Sequence, residues 1–163
     1  MNIFVLNENP MKAAQMLCDC HLRKMCVETA QILSGVILRR GMELLDGMPK
    51  PQNINHPVIV AAAATPEATQ WVVDYNEHLH IEYMYRFGKA HAYNDLSMDY
   101  LARLDITVVQ PSCKNLSNCT GCAATKHLDI VTAYRKYYKE IKKPQLQAKG
   151  LWKFTSREDW TND

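Results

Sequence analysis

The chain has 163 residues, of which 47% are hydrophobic and 22% charged, and its formal net charge is +2. This composition is typical of a globular protein, and the length suits a single domain, residues 1–163, with a substantial hydrophobic core. No segment has the run of about 18 apolar residues that a membrane span requires, and the first residues lack the basic start of a signal peptide. We therefore expect a cytoplasmic protein with no membrane partner, whose six cysteines are thiols or metal ligands rather than disulfides.

The first long apolar segment, residues 10–45, predicts one helix, with Asn9 as its N-cap and Pro10 in its first position. Four polar side chains within it follow an i, i+3, i+7, i+10 spacing and share one helix face: His21, Lys24, Glu28 and Gln31. Because burying unpartnered charges costs several kcal/mol, this face is either solvated or lines a site. The mixture of an acid, a base candidate and a cation favours a site.

Start and stop signals divide the middle of the chain into shorter helices. Asn55-His56-Pro57 opens a short helical turn that runs through residue 64. Thr65-Pro66-Glu67 opens the next helix with a cap, a proline and an acid, and Gly88 ends it. A further short helix is predicted over residues 94–104.

The last third of the chain is predicted to be less regular. Residues 105–126 are irregular, residues 128–143 form the last helix, which Pro144 ends, and residues 144–163 form an irregular strap. We therefore expect a mainly α, compact single domain with three or more main helices and a long cysteine-containing loop.

The loop carries cysteines at a spacing that resembles a metal site only in part. One Cys-x2-Cys pair, a third cysteine and a histidine are the possible ligands of a tetrahedral zinc ion: Cys113, Cys119, Cys122 and His127. A second Cys-x2-Cys pair is missing from the sequence. We therefore expect thiols without metal here, and we predict no cofactor.

Positive charge is concentrated late in the chain. Residues 126–153 hold eight Lys and Arg against Asp129 and Glu140, a local charge of +6 that leaves −4 for the rest. Four aromatic residues are interleaved with this charge: Tyr134, Tyr137, Tyr138 and Trp152. This is the composition of a surface that binds phosphates and stacks on bases, and equally of a solvated amphipathic helix whose aromatic side chains point inward.

Four short motifs are distributed between residue 1 and about residue 140: Asp19-x-His21-Leu22-x5-Glu28, Asn55-His56-Pro57, Ile81-Glu82-x3-Arg86-Phe87-Gly88 and Tyr137-Tyr138. Together they resemble the phage pyrimidine-dimer DNA glycosylase family of the endonuclease V type. The start of the chain, Met1-Asn2-Ile3-Phe4, is similar to that of small phage proteins that form a divergent branch of this family. The resemblance implies a compact helical fold, a viral origin, and DNA or a nucleotide as the partner.

The resemblance also implies a mechanism. In this family the N-terminal α-amine attacks the sugar carbon and forms an imine, while a glutamate on the first long helix assists. Glu28 matches that glutamate, and His21 matches a histidine seven residues earlier. The family's nucleophile lies on a small residue that methionine removal exposes, whereas Asn2 is a poor substrate for that removal. Met1 then supplies the candidate amine; the alternatives are hydrolysis by water and a site that has lost catalysis.

A duplex substrate requires phosphate contacts and room for an extruded base. The candidate substrate-binding residues are polar, basic or aromatic: Lys24, Asn55, His56, Glu82, Arg86, Tyr137, Tyr138 and Lys142. Two other functions stay open. One is modification of DNA bases or nucleotides without strand cleavage, and the other is a non-enzymatic counter-defence protein that binds a host molecule. The acidic remainder of the chain suits a small ligand better than a duplex.

Overall fold

The computed structural model describes residues 2–104 and 109–162, with the backbone alone for Ser97 and Leu101. These residues form seven α-helices and no β-strand: α1 (Pro10–Gln15), α2 (Asp19–Arg39), α3 (Pro57–Ala64), α4 (Pro66–Phe87), α5 (Leu96–Leu104), α6 (Ile130–Tyr137) and α7 (Lys143–Gln147). The prediction of a mainly α protein is confirmed. Within the described part of the chain, no helix is long and apolar enough to cross a membrane.

The two long helices, α2 and α4, pack against each other, and α1 and α3 pack beside them. The extended segment that precedes α1 is buried against this layer, since Phe4 is only 1% exposed. Two aromatic side chains of α4 hold the segment by its backbone. The Tyr75 hydroxyl donates to the carbonyl of Phe4 at 3.3 Å, and the Trp71 indole donates to that of Glu8 at 2.6 Å. The beginning of the chain is thereby fixed inside the fold.

The predicted start and stop signals are confirmed at three helices. The side chains of Asn9 and Thr65 accept backbone N–H groups in the first turns of α1 and α4. His56 does the same for α3 through its Nδ1 atom. Gly88 follows α4 with φ +63°, a left-handed conformation that glycine adopts without a Cβ clash.

The prediction of one helix over residues 10–45 is wrong. α1 ends at Gln15 and α2 begins at Asp19, because donors from distant parts of the chain take the carbonyls between them. The Arg86 guanidinium donates to the carbonyls of Gln15 and Leu17, and the Trp160 indole donates to that of Met16. Tertiary hydrogen bonds thus replace the intrahelical bonds that a continuous helix would make.

Two helix ends also differ from the prediction. α2 ends at Arg39 rather than residue 45, shortly before Gly41, which has φ +74°. Pro144 does not end the last helix but lies in the first turn of α7, after a π-helical turn over Tyr138–Lys142. Because proline lacks an N–H and clashes with the carbonyl four residues earlier, the wider π turn accommodates it where a regular α-helix would not.

The irregular strap begins after α7, a few residues later than predicted. Its tryptophans, Trp152 and Trp160, lie against the Tyr138 ring with centroid distances of 5.4 and 5.9 Å. The backbone of the strap also bonds to the fold, since the Asp19 amide donates to the Lys153 carbonyl at 2.8 Å. The strap therefore covers the start of α2.

Candidate active site

Glu28 lies on α2 with its carboxylate facing the beginning of the chain. Its side chain is only 13% exposed. Oε2 accepts a hydrogen bond from the backbone N–H of Asn2 at 3.1 Å. Oε1 lies 3.5 Å from the ammonium of Lys24, whose side chain is half exposed. The arrangement is a partly desolvated carboxylate beside a lysine ammonium that solvent and ligands can reach.

Asn2 is fixed beside Glu28 by contacts from the other end of the chain. Its Oδ1 accepts the Tyr134 hydroxyl at 2.7 Å, and its Nδ2 donates to the Cys119 carbonyl at 3.4 Å. The Cys119 amide in turn donates to the Tyr134 hydroxyl at 3.1 Å. Both partners lie more than 100 residues from Asn2, so the local sequence pattern carries no sign of these positioning roles. Met1, the predicted nucleophile, lies outside the described residues.

His56 is within electrostatic reach of Glu28. Burial lowers the pKa of the His56 imidazole, while the negative charge of Glu28 acts in the opposite direction. Nδ1 accepts the Val58 amide at 3.3 Å, so the neutral ring carries its proton on Nε2. A neutral imidazole that offers an N–H donor therefore lies in the surroundings of the carboxylate.

His21 shares a helix face with Glu28, but the structure pairs it with a different residue. Its Nδ1 lies 2.9 Å from the Tyr138 hydroxyl, which also accepts the Cys18 amide at 2.9 Å. The His21 ring packs on Phe4 at a centroid distance of 4.6 Å. His21 is nearly buried and the Tyr138 ring is fully buried. A ring enclosed in this way has no face for an extruded base, so the structure places Tyr138 in the core rather than at a substrate surface.

Arg86 and Glu82 belong to a buried ionic network at the end of α4. Arg86 Nε donates to Glu82 Oε1 at 2.7 Å, and one terminal nitrogen lies 3.1 Å from Asp19 Oδ1. Arg157 from the strap binds both Glu82 oxygens, at 2.8 and 2.7 Å. Burial alone would raise the pKa of Glu82, but the hydrogen bonds from Arg157 and Arg86 lower it overall.

This network leaves Arg86 unsuited to a phosphate. Its side chain is 0% exposed, and its donors face carboxylates and backbone carbonyls. A phosphate would have to displace these partners and open the core to reach the guanidinium. The predicted binding role of Glu82 meets the same obstacle, because two arginines occupy both of its oxygens.

Three other predicted binding residues lie at the surface. Asn55 accepts from Arg39 at 2.9 Å, at the end of α2. Arg39 is eleven residues beyond Glu28, so the two are about 16 Å apart along the helix. Tyr137 is half-buried, with the ammonium of Lys142 5.2 Å from its ring centroid. Of these three, Tyr137 and Lys142 form a cation–π pair with each other.

A cleft of about 390 Å³ opens beside the strap, but Glu28 does not line it. Its walls come from α2, the end of α4 and the strap: Asp19, Cys20, Arg23, Phe87, Gly150, Leu151, Lys153 and Thr155. The Arg23 guanidinium lies 4.5 Å from the Phe87 ring centroid. The polar stripe of His21, Lys24, Glu28 and Gln31 therefore does not line this cleft, although Lys24 and Glu28 contact each other.

The six cysteines are free thiols. Within residues 2–104 and 109–162, two groups place three potential ligand atoms within 4.8 Å of one another: Cys18, Cys20 and His21; and Cys26, His80 and His91. The loop set of Cys113, Cys119, Cys122 and His127 is not among them. In the first group, the Cys20 thiol 3.5 Å away is the main cause that lowers the pKa of Cys18 to about 4.

This geometry defines a class of helical protein. In it, the first long helix directs a partly buried carboxylate toward the beginning of the chain. The family model for pyrimidine dimer DNA glycosylases matches residues 1–95, and the chain belongs to this family. The matched region includes α1 to α4, and therefore Glu28, Lys24 and His56, but not α6 or the strap. No curated protein and no solved structure matches the chain. Membership implies DNA as the ligand class.

Proposed function

We propose that this protein is a DNA N-glycosylase that acts on a pyrimidine base, with Glu28 as its acid/base or electrostatic stabiliser. The observation that carries the proposal is the 3.1 Å contact between the Asn2 nitrogen and Glu28 Oε2. If Met1 is removed, that nitrogen is the α-amine, already beside a carboxylate. If Met1 stays, its own amine is the candidate nucleophile, one residue before Asn2.

The chemistry requires a base beside the amine. The amine nitrogen attacks C1′ of the sugar, the C1′–N bond to the pyrimidine breaks, and the departing base takes up a proton. The C1′–O4′ bond of the sugar ring then breaks as the C1′=N bond of the imine forms, the amine loses its protons, and O4′ takes one up. A carboxylate at hydrogen-bond distance can accept one of them and stabilise the positive charge on the sugar. With water as the nucleophile, the same carboxylate would serve as the general base.

The surroundings of Glu28 suit a nucleic acid backbone. Lys24 holds a half-exposed ammonium 3.5 Å from the carboxylate, so it can contact a phosphate next to the reacting sugar. His56 offers a neutral ring in the same region. Further contacts would come from the basic surface of α6, the π turn and the start of α7, which carries Tyr137 and four lysines: Lys136, Lys139, Lys142 and Lys143. Phosphate contacts there would make binding salt-dependent.

The direct test incubates the full chain with oligonucleotides that contain a pyrimidine dimer, a modified pyrimidine or only normal bases, with borohydride present. A trapped covalent adduct on the first peptide of the chain, located by mass spectrometry, identifies an imine enzyme and the amine that it uses. Base release without an adduct identifies hydrolysis by water. Binding with no change in the DNA would support the counter-defence alternative instead.

Glu28→Gln tests the role of the carboxylate. The substitution keeps shape and hydrogen bonding but removes the charge, so folding should survive while activity falls about 100-fold or more. Glu77→Gln, an exposed glutamate on α4, is the matched control and should keep full activity. Undiminished activity in Glu28→Gln would reject the assignment.

A second candidate is modification of a DNA base or nucleotide without strand cleavage. It is favoured by the burial of Arg86 and Tyr138, which removes two predicted DNA contacts, and by the charge of −4 outside residues 126–153. In the same experiment it would yield intact strands, or free nucleotides, with an altered base mass. The phage origin and cytoplasmic location that the resemblance implies stay predictions.

A further inference from the structure

Three potential metal ligands from separate segments meet inside the fold, away from Glu28. Cys26 on α2, His80 on α4 and His91 in the segment that follows α4 place one ligand atom each within 4.8 Å of one another. Cys26 is fully buried and His80 is 2% exposed. We propose that these three residues bind one zinc-type divalent metal ion, which fastens α2 to α4 and to the segment after α4.

His80 is the observation that points to a ligand. Among the residues that the structure describes, neither of its ring nitrogens has a hydrogen-bond partner, although the side chain is buried. Burying an imidazole without partners is costly, and buried polar groups in proteins are nearly always satisfied. A neutral imidazole has one lone pair to offer, so a metal ion would satisfy one of the two ring nitrogens.

Cys26 supplies the soft ligand. Its thiol lies 3.8 Å from the Leu79 carbonyl, a long and weak contact that coordination would replace. Cys26 is fully buried, and a buried thiol without an ion keeps its proton. Metal binding breaks the S–H bond, forms the metal–sulfur bond and releases one proton to solvent per ion bound.

His91 supplies the adjustable ligand. Its Nδ1 accepts the Tyr93 amide at 3.2 Å. Metal binding through either ring nitrogen would remove this hydrogen bond, because Nδ1 would then hold either the ion or the proton of the ring. Zinc ligands at 2.0–2.3 Å from the ion lie about 3.3–3.7 Å apart, so any pair of the three ligand atoms that is wider than this, within the 4.8 Å that encloses them, must move closer together. His91 is half-buried in a segment outside the helices and can make that adjustment. We expect the segment to become more ordered on binding.

The donor set defines the class of metal. One thiolate with two imidazoles suits zinc and its cobalt substitute, whereas magnesium and calcium prefer oxygen ligands. Three protein ligands leave a fourth position for water. Cys26 and Glu28 are two residues apart on α2, so at 100° per residue they face opposite sides of the helix. The metal site is therefore separate from the proposed active site and does not depend on the glycosylase activity.

The test measures metal on the full chain, by metal analysis after equilibration with Zn²⁺ and by absorption spectra with Co²⁺. We expect one ion per chain, one proton released per ion, and a thiolate-to-cobalt charge-transfer band in the near ultraviolet. Cys26→Ser should abolish that band and His91→Gln should abolish stoichiometric binding. Two matched controls, Cys122→Ser and His78→Gln, should keep both.

Cys20→Ser separates this site from the other cluster, since Cys20 lies with Cys18 and His21. Loss of the ion in Cys20→Ser but not in His91→Gln would assign the metal there and overturn the proposal. A folded wild-type chain that binds neither Zn²⁺ nor Co²⁺ stoichiometrically would also overturn it and leave a water molecule as the partner of His80. If Cys26→Ser does not fold, His91→Gln and the wild-type cobalt band decide the question.

Discussion

Arg86 and Glu82, one turn apart on α4, form a buried ion pair in which Nε lies 2.7 Å from Oε1. The same guanidinium reaches Asp19 at the start of α2, so one side chain joins the two long helices. The strap closes the network from outside, through the hydrogen bonds of Arg157 to Glu82 and of Thr155 to Asp19. The two arginines and two carboxylates satisfy one another, with Arg86 and Glu82 buried and Arg157 partly exposed at the outer edge.

Removing Arg86 should therefore be strongly destabilising. Arg86→Met fills the space but leaves Asp19 and one side of Glu82 without their partner, which should cost about 3–5 kcal/mol of unfolding free energy. Urea unfolding followed by circular dichroism measures this. The matched control is Lys136→Met, which breaks the exposed pair with Glu140 and should cost less than about 1 kcal/mol. Similar losses in the two variants would contradict the buried network.

Acid should unfold the protein through the same carboxylates. Burial alone would raise the pKa of Asp19, but the hydrogen bonds from Thr155 and Arg86 lower it overall, and the pKa of Glu82 is also lowered. The pKa of each carboxyl group in the folded state lies below its unfolded value, which is about 3.9 for Asp and 4.3 for Glu. Each group therefore adds its full stability at pH values above its unfolded pKa. The stability is lost as the pH falls through the folded pKa.

Thr155→Val isolates the contribution of Asp19. The variant removes the hydroxyl that donates to Asp19 at 2.6 Å and should cost about 1.5–3 kcal/mol at pH 7, because that acceptor is charged. Urea titrations from neutral pH to below the folded pKa should show the difference from wild type shrinking once Asp19 is protonated. A difference that stays constant over the whole pH range would show that Thr155 acts through packing alone.

Local sequence signals predicted the helix that carries His80 and Arg86 well, but not the break between α1 and α2. Thr65 and Gly88 bound α4 through contacts a few residues away, which a sequence displays directly. The break at residues 16–18 depends on donors from Arg86 and Trp160, about 70 and 140 residues further along the chain. Such partners leave no mark on the local pattern.

The candidate site shows the same limit. Helical periodicity placed Lys24 beside Glu28 correctly, since the two are four residues apart. It also placed His21 on the same face. In the structure, however, His21 Nδ1 lies at hydrogen-bond distance from the Tyr138 hydroxyl, 117 residues away in sequence. The contact between Asn2 and Glu28 depends on how the first segment folds back onto α2, and helical spacing has no information about that.

Tyr138→Phe should lower stability rather than substrate binding. The change removes a hydroxyl within hydrogen-bond distance of the Cys18 amide and of His21, and it leaves both buried without that partner. The expected cost is about 1–3 kcal/mol, with activity per folded molecule unchanged. Thermal and urea unfolding, alongside activity at a temperature where both proteins are folded, measure the two effects. The neighbouring Tyr137→Phe is the control and should change stability by less than about 0.5 kcal/mol.

At Gly35, α2 approaches Ile59 of α3 closely, and replacing this glycine tests that packing. A Cβ at this position would lie 2.6 Å from Cδ1 and 2.8 Å from Cγ2 of Ile59, which is fully buried. Alanine gains about 1 kcal/mol over glycine from helix propensity, but overpacking costs about 1–3 kcal/mol. Because two atoms of one branched side chain are too close, we expect the overlap to exceed the propensity gain and Gly35→Ala to be destabilising.

Ile59→Val provides the compensating change. It deletes the Cδ1 methyl, which lies closest to the added Cβ, and alone should cost about 0.5–1.5 kcal/mol. If α2 and α3 pack as described, the Gly35→Ala/Ile59→Val double variant will be more stable than the sum of the two single effects implies. Urea unfolding of all four proteins gives this coupling energy directly. Strictly additive effects would mean that Ile59 moves away without cost, and that the close approach of the two helices does not depend on glycine.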